Sequence, residues 1–288
     1  MQTPVALILF NRPDVTARVF EAIRAVRPRQ LFLIADGPRH HAERADVEAA
    51  RAIVAQVDWP CEVMTRFAER NLGCRANVAG GIDWVFSLAD RAIILEDDCL
   101  PDPSFFRFCE ELLDHYADDP RVSMISGDNF QSINNLRSES YYFSAIAHVW
   151  GWATWRRVWT RWFDISMPTW PVERETAWLH DLLLDDRVRR TYRAAFDAVS
   201  TGHVDTWDAQ WQLAVWRSRG LVALPAVNLV TNLGFGPRAT HTKQSTSLDA
   251  NLPVEPMRFP LRHPESIRRD PSADLATWRR SLDRKTIA

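Results

Sequence analysis

Apolar positions along the first third of the chain follow two alternating patterns. Unbroken apolar runs, as at residues 5–10 (VALILF), 31–35 (LFLIA) and 92–95 (AIIL), are typical of strands buried on both faces. Between these runs, apolar residues recur three and four positions apart, which predicts amphipathic helices. Strand–helix repeats of this kind predict an α/β fold. Its sheet would be mostly parallel, twisted and doubly wound, with helices on both faces.

Polar residues stand directly after these predicted strands. Asn11 follows the first run, Asp36 follows the second, and Glu96, Asp97 and Asp98 follow the third. In a doubly wound sheet, ligands bind beyond the carboxyl ends of the strands, so we expect these side chains to share one edge. The sequence therefore predicts a ligand site at that edge.

The three adjacent acids indicate a metal site. Glu96, Asp97 and Asp98 repel one another unless a cation, a basic cluster or open solvent offsets their charge. Hard divalent ions prefer oxygen ligands of this type, so the cluster predicts a divalent-metal site. The alternative is a solvated acidic turn before a helix that begins near Pro103 and has Asp102 as its cap.

Tryptophan dominates part of the second half. Seven of the 13 Trp fall within residues 150–178, which predicts a Trp-rich lobe. Most of these indoles are expected to be buried, whereas one or two, Trp152 first, are expected to face a substrate because exposed indoles stack on sugar rings. Prolines and charges dominate residues 249–288, and we expect this C-terminal extension to be ordered where it docks on the body.

Composition narrows the class of protein. Among 288 residues, 35 Lys and Arg oppose 37 Asp and Glu, and the net charge of −2 gives no general reason to expect nucleic acid as a partner. No apolar run approaches the roughly 20 residues of a membrane span, and we expect a cytoplasmic protein. The four Cys have no CxxC spacing, so neither a zinc knuckle nor a disulfide framework is indicated.

An ordered set of motifs adds a family resemblance. ADGPR, RNLGCRANV, EDD, GWATW, WDAQW and NLGFGPRATHT follow one another along the chain. Together they resemble the metal-dependent nucleotide-sugar glycosyltransferases of the GT-A (Rossmann-like) fold. The likeness is to bacterial family-2-like enzymes and, more remotely, to the N-acetylglucosaminyltransferase I family. It implies a glycosyltransferase domain over residues 1–248, with a nucleotide-sugar-binding half at 1–130 and an acceptor-side half at 131–248. It also implies a nucleotide-diphosphate sugar donor, a glycan or other hydroxyl acceptor, and Mn²⁺ or Mg²⁺.

The resemblance implies roles for the acids on the donor side. Residues 96–98 match the DxD-type motif of the family, in which the last acid, Asp98, would be the direct metal ligand. Asp97 or Glu96 would reach a ribose or a metal-bound water. Asp36 matches the acid that holds the nucleoside.

Basic and polar residues near the predicted site are further candidates. Asn11 and Arg12 follow the first strand and are expected to bind substrate. Arg75 and Arg238 are candidate diphosphate contacts because guanidinium geometry suits phosphate, although each is also explained as a surface arginine. His241 follows the Gly-rich segment and is a candidate metal or diphosphate ligand, with a structural role as the alternative.

On the acceptor side the resemblance implies a general base. Gly151 and Trp152 resemble the GW element that lines the acceptor site. Asp208 resembles the acid at the Trp-Asp step that begins the base-bearing helix, but Ala209 stands where the remote family has a second acid. That departure leaves Asp205 as an alternative base. We favour Asp208 because a helix N-terminus stabilises a carboxylate, and we expect transfer with inversion.

Two other functions fit parts of the sequence. A sugar-binding or interaction module would use the Trp-rich lobe, and its acids would be a solvated turn. A sugar nucleotidyltransferase would want a Gly-rich phosphate loop after the first strand, and the segment FNRPD offers no glycine there.

Overall fold

The computed structural model describes residues 1–131, 137–183, 185–235 and 250–285. The first part of the chain alternates strands and helices as the apolar pattern predicts. Its strands are β1 (Val5–Leu9), β2 (Gln30–Ala35), β3 (Glu62–Phe67), β4 (Arg91–Glu96) and β5 (Cys99–Pro101). Its helices are α1 (Pro13–Val26), α2 (Arg44–Val54), α3 (Cys74–Leu88) and α4 (Pro103–His115).

The remaining elements are less regular in order. The strands are β6 (Val122–Ser126), β7 (Tyr141–Ser144), β8 (Trp152–Trp155), β9 (Leu221–Pro225) and β10 (Val230–Asn232). The helices are α5 (Arg156–Trp162), α6 (Trp170–Glu173), α7 (Trp178–Leu182), α8 (Asp186–Ser200), α9 (Asp208–Arg217) and α10 (Pro271–Lys285). Among the described residues, no helix has the length and apolar character needed to cross a membrane.

Eight strands form the central sheet in the order β3-β2-β1-β4-β8-β6-β9-β7. The first four are parallel to one another, β8 runs antiparallel between β4 and β6, and β7 is antiparallel to β9. Strands β5 and β10 pair separately. Helices α1 and α2 contact each other, and α3 contacts α5, so helices flank the sheet. The predicted α/β class with a mostly parallel sheet is confirmed.

The winding of the sheet changes direction between β1 and β4. These strands are neighbours although β2 and β3 separate them in the chain, and their register places Glu96 beside Ile8. Both strands are almost entirely buried, as expected for strands covered on two faces. The segments that follow β1 and β4 therefore emerge side by side, at the position where such sheets bind ligands.

The Trp-rich segment contributes to two cores. Its first part is β8, which lies inside the sheet, and the main core includes Trp152 and Trp159. A second, smaller core is built by the helices that follow and includes Trp170, Trp216 and Trp278. Trp278 belongs to α10, so the described part of the C-terminal extension is docked on the body.

Candidate active site

A cavity of about 460 Å³ opens beyond the carboxyl ends of β1 and β4. Six of the residues predicted from the sequence line it, namely Arg12, Asp36, Glu96, Asp97, Asp98 and Asp208. Residues as far apart as 12 and 208 therefore share one site, and its volume lies within the usual range for small-molecule sites.

One wall of the cavity, the strand wall, consists of Arg12, Glu96, Asp97 and Asp98. Asp97 is only 3% exposed, and its Oδ2 accepts a hydrogen bond of 3.1 Å from the backbone N–H of Phe10. Arg12 Nη2 pairs with Asp97 Oδ1 and lies 2.8 Å from Asp98 Oδ2. A single guanidinium nitrogen therefore bridges two of the three acids.

Burial dominates the electrostatics of this wall. Burial, followed by the charges of Asp98 and Asp97, raises the pKa of Glu96 to about 8. The pKa of Asp97 is also raised, chiefly by burial, although Arg12 opposes that effect. Three carboxyls share one guanidinium, so the wall would be further stabilised by an additional cation.

The donor chemistry of the strand wall fits a hard divalent ion. Carboxylate oxygens line the cavity in an arrangement that is open to a ligand. Within the described ranges, however, no group of three or more His, Cys, Asp or Glu side chains is arranged to hold a metal ion. Mg²⁺ in particular is commonly held by one or two carboxylates together with substrate phosphates, and the acids present fit that kind of site.

Asp36 lies at the end of β2 and organises the loop before α3. Its Oδ1 accepts 2.8 Å hydrogen bonds from the backbone N–H groups of Gly37 and Leu72. Its Oδ2 accepts from Asn71 Nδ2 at 2.9 Å and from the Gly73 N–H at 3.1 Å. A carboxylate has about four acceptor positions, so the predicted contact with a nucleoside would have to displace one of these bonds.

Asp205 completes the same arrangement from the other half of the chain. Its two oxygens accept from the backbone N–H groups of Cys74 at 3.0 Å and Arg75 at 3.1 Å. Gly73 has φ of +84°, and an added Cβ there would lie 2.9 Å from Asp205 Oδ2. Four successive amides, 72–75, are therefore held by two carboxylates, because the free N–H groups at a helix start attract anions.

Asp208 stands at the start of α9, in a second part of the cavity lining, the helix wall, which consists of Asp205, Thr206 and Asp208. Its Oδ1 accepts from Thr206 Oγ1 and, at 2.9 Å, from the Ala209 N–H. Trp207 beside it is buried, whereas Asp208 is exposed toward the cavity. Since both oxygens of Asp205 are used at α3, Asp208 is the acid of this wall with a carboxylate oxygen left for a substrate.

Trp152 does not line the cavity, which differs from the prediction. It is 1% exposed and stacks on Trp207 with 5.6 Å between ring centroids. The reason is that β8 lies in the middle of the sheet, so the side chain of Trp152 points into the core. Trp150 lines the cavity instead, and its backbone N–H donates a 2.9 Å hydrogen bond to Oδ2 of the buried Asp128. Gly151 separates the two indoles with φ of +74° and does not line the cavity either.

Asn11 and Arg75 do not line the cavity. Asn11 donates a 3.1 Å hydrogen bond to Glu43 beside it. Arg75 donates to the backbone carbonyl of Ile165 and so ties α3 to the segment between α5 and α6. Arg238 and His241 lie outside the described residues.

Some residues of the cavity were missed by the sequence reasoning. Asn77 lines the cavity, is 3% exposed, and its Oδ1 has no hydrogen-bond partner among the described residues. It is the last polar residue of RNLGCRANV and lies in the first turn of α3, so its place in that motif was a usable signal. Cys74 also lines the cavity, but burial and the charge of Glu96 raise the pKa of its thiol, which disfavours a thiolate nucleophile.

Comparison with known proteins gives distant similarities. No protein-family model and no curated protein matches the chain. One similar solved structure is 4-diphosphocytidyl-2C-methyl-D-erythritol synthase from Anaerococcus prevotii DSM 20548, with a TM-score of 0.40 and 6% identity over 77% of this chain and 88% of that one. UDP-glucose pyrophosphorylase with UDP-glucose has a TM-score of 0.37 and 7% identity over 78% of this chain and 90% of that one. Its apo form also scores 0.37, with 8% identity over 77% and 90%. At these values the similarities assign neither a family nor an activity.

Proposed function

We propose that this protein is a glycosyltransferase that moves a sugar from a nucleotide-diphosphate donor to an acceptor hydroxyl. The observation that carries the proposal is that two kinds of carboxylate, from distant parts of the chain, line one cavity. Glu96, Asp97 and Asp98 stand with Arg12 on the strand wall, and Asp208 stands on the helix wall. An acid cluster for the leaving diphosphate and a separate base for the acceptor are the two groups that such a transfer requires.

The strand wall would bind the donor. Asp98 would be the protein ligand of Mn²⁺ or Mg²⁺, with Glu96 and Asp97 beside it, and the ion when bound would act as a Lewis acid on the leaving diphosphate. Arg12 lines the cavity and would contact the diphosphate, since guanidinium pairs well with phosphate oxygens. Asp36 would support the donor site indirectly, because its hydrogen bonds hold the loop at 71–73 in place.

The helix wall would activate the acceptor. Asp208 would take the proton of the incoming hydroxyl while the acceptor oxygen forms a bond to the anomeric carbon of the sugar. The bond from that carbon to the diphosphate oxygen breaks, and its electron pair leaves with the nucleoside diphosphate. Attack from the side opposite the leaving group inverts the anomeric carbon. Trp150, which lines the cavity, would support the acceptor through stacking.

Metal-dependent nucleotide binding tests the donor half of the proposal. Titration calorimetry with UDP and with GDP, each with Mn²⁺, should detect binding by the wild-type protein and its loss in Asp98→Ala. Asp102→Ala is the matched control, because Asp102 caps α4 through Ser104 and does not line the cavity. That control should lose about 1 kcal/mol of stability and keep nucleotide binding. Equal binding by Asp98→Ala and wild type would contradict the proposed donor site.

A panel of nucleotide sugars with Mn²⁺ tests the reaction class. A glycosyltransferase should hydrolyse one donor slowly in the absence of acceptor and release nucleoside diphosphate. Release of pyrophosphate from a nucleoside triphosphate and a sugar phosphate would instead identify a nucleotidyltransferase. Binding of free sugars without any response to nucleotide and metal would identify a sugar-binding module.

A further inference from the structure

Arg12 not only borders the cavity but also pairs directly with two of the acids of the strand wall. One nitrogen, Nη2, contacts both Asp97 Oδ1 and Asp98 Oδ2. The side chain of Arg12 is 16% exposed, and those of the two acids are 4% and 13% exposed. The guanidinium is therefore an internal counter-ion that is largely shielded from water yet borders the cavity.

The backbone around Arg12 is held by hydrogen bonds. If Arg12 exchanges one binding partner for another, only its side chain has to move. The Arg12 carbonyl accepts from the N–H of Thr16 at 3.0 Å and from Thr16 Oγ1 at 2.7 Å, and Pro13 begins α1 directly after it. Gly234, which also lines the cavity, lies close to the pair: a Cβ added there would clash with Asp98 and come within 3.0 Å of Arg12 Nη1. Because Arg12 itself lines the cavity, a ligand bound there can reach its guanidinium.

The guanidinium of Arg12 and a divalent ion would compete for the same two acids, because both are positively charged. Burial would lower the pKa of Arg12, but the charges of Asp97 and Asp98 outweigh it and raise the pKa, so the group remains cationic. A divalent ion at Asp98 would stand beside that positive charge and be repelled. A diphosphate in the cavity offers the guanidinium other oxygens, to which it can pair through two N–H groups.

We propose that Arg12 couples the binding of the divalent ion to that of the diphosphate, by exchanging Asp97 and Asp98 for phosphate oxygens when the donor binds. This inference rests on the proposed function. Without nucleotide, Arg12 weakens binding of the ion at Asp98. With nucleotide bound, the guanidinium is drawn to the phosphate and the acids are freed. By linkage, the ion strengthens nucleotide binding through Arg12 to the same degree.

The test is Mn²⁺ binding to the full chain, followed by the electron paramagnetic resonance signal of free Mn²⁺, with and without UDP or GDP. In the wild type we expect weak binding of Mn²⁺ alone. In Arg12→Gln we expect Mn²⁺ alone to bind about tenfold more tightly, with a correspondingly smaller gain on adding nucleotide. Chelation of Mn²⁺ by free nucleotide is the same in both titrations, so it cancels in the comparison.

Arg39→Gln is the matched control. Arg39 lines the same cavity, but its guanidinium pairs with Glu43 and not with the strand wall. This variant should keep the wild-type affinity for Mn²⁺ alone. An equal tightening in Arg39→Gln and Arg12→Gln would indicate a general loss of positive charge and would overturn the proposed role of Arg12.

Arg12→Lys provides a second variant in case Arg12→Gln does not fold. The ammonium keeps a positive charge beside the acids but loses the two-pronged pairing with phosphate. We expect its affinity for Mn²⁺ alone to stay within about threefold of wild type, with a smaller nucleotide-dependent gain. The coupling is wrong if the nucleotide-dependent gain is unchanged in Arg12→Lys, or if Arg12→Gln and the wild type bind Mn²⁺ with equal affinity. In either case, binding of nucleotide with Mn²⁺ by the wild type would still support the proposed function. If the wild type binds neither Mn²⁺ nor nucleotide, both proposals are wrong.

Discussion

The two walls of the cavity hold their carboxylates in opposite ways. The acids of the strand wall follow a buried strand, and burial raises the pKa of Glu96 and of Asp97. The acids of the helix wall are exposed and hydrogen-bonded to a hydroxyl or to backbone N–H groups at helix starts. A partly buried acid cluster suits a cation, because desolvation strengthens its attraction for positive charge. An exposed acid at a helix start suits exchange of a proton with an incoming substrate.

Asp208→Asn, on the helix wall, should have the largest effect on the rate of sugar transfer. The amide keeps the shape of the side chain but cannot accept the proton, so we expect kcat to fall by about 10²- to 10⁴-fold. The affinity for the nucleotide should not change, because the donor is assigned to the other wall. Steady-state kinetics with the donor found in the panel, together with calorimetry, provides both values.

Asp205→Asn is the matched control for that prediction, since Asp205 is an exposed acid three residues away. Its carboxylate binds the backbone N–H groups of Cys74 and Arg75 and is not assigned to the acceptor. We expect a much smaller loss of kcat than in Asp208→Asn. If Asp205→Asn is the more damaged enzyme and Asp208→Asn works at the wild-type rate, the assignment of the base is wrong.

Asp36 and Asp205 extend the comparison of buried with exposed acids to the stability of the fold. Both acids hold the start of α3, but Asp36 is buried, and its carboxylate accepts four hydrogen bonds from N–H groups. In Asp36→Asn an amide N–H would face other N–H groups, and we expect a loss of about 3 kcal/mol in the free energy of unfolding. Asp205→Asn should cost about 1 kcal/mol or less, because its site is exposed to water. Urea unfolding measures both losses, and equal losses would contradict the distinction between a buried and an exposed clamp.

The edge of the sheet that carries the acids was predictable from the sequence, because it depends on local pattern. Unbroken apolar runs locate β1, β2 and β4, and parallel pairing brings Arg12, Asp36 and residues 96–98 together. The bonds from the Cys74 and Arg75 amides to Asp205 span 131 and 130 positions and have no local signal. Such contacts between distant segments depend on how the two halves pack.

The placement of Trp152 was not predictable for a related reason. The motif GWATW predicts an aromatic segment, but not that it enters the sheet as a central antiparallel strand between β4 and β6. That position buries Trp152 and leaves Trp150, at the start of the segment, to line the cavity. A cluster of indoles indicates burial of most members without saying which one reaches a ligand.

Titration of His263, which does not line the cavity, should have the smallest effect on stability. His263, in the C-terminal extension, bonds Tyr141 Oη through Nδ1 at 2.8 Å and stacks on His115 with 4.3 Å between ring centroids. Burial and the charge of His115 lower the pKa of His263, although Glu111 opposes this. The folded state therefore favours the neutral ring, and its contribution to stability is lost as the pH falls below about 6.5.

We expect this loss to be at most about 0.5 kcal/mol, because the ring is exposed and water screens its charge. Urea unfolding at about pH 5.5 and pH 8 measures the difference, and His263→Gln should reduce it. Nucleotide binding in His263→Gln should equal that of the wild type, because His263 does not line the cavity. If the variant binds nucleotide more weakly, the docking of the extension is coupled to the cavity, and the helix wall depends on more than the hydrogen bonds of Asp205 and Asp208. An unchanged pH dependence would instead place the titrating group elsewhere in the body.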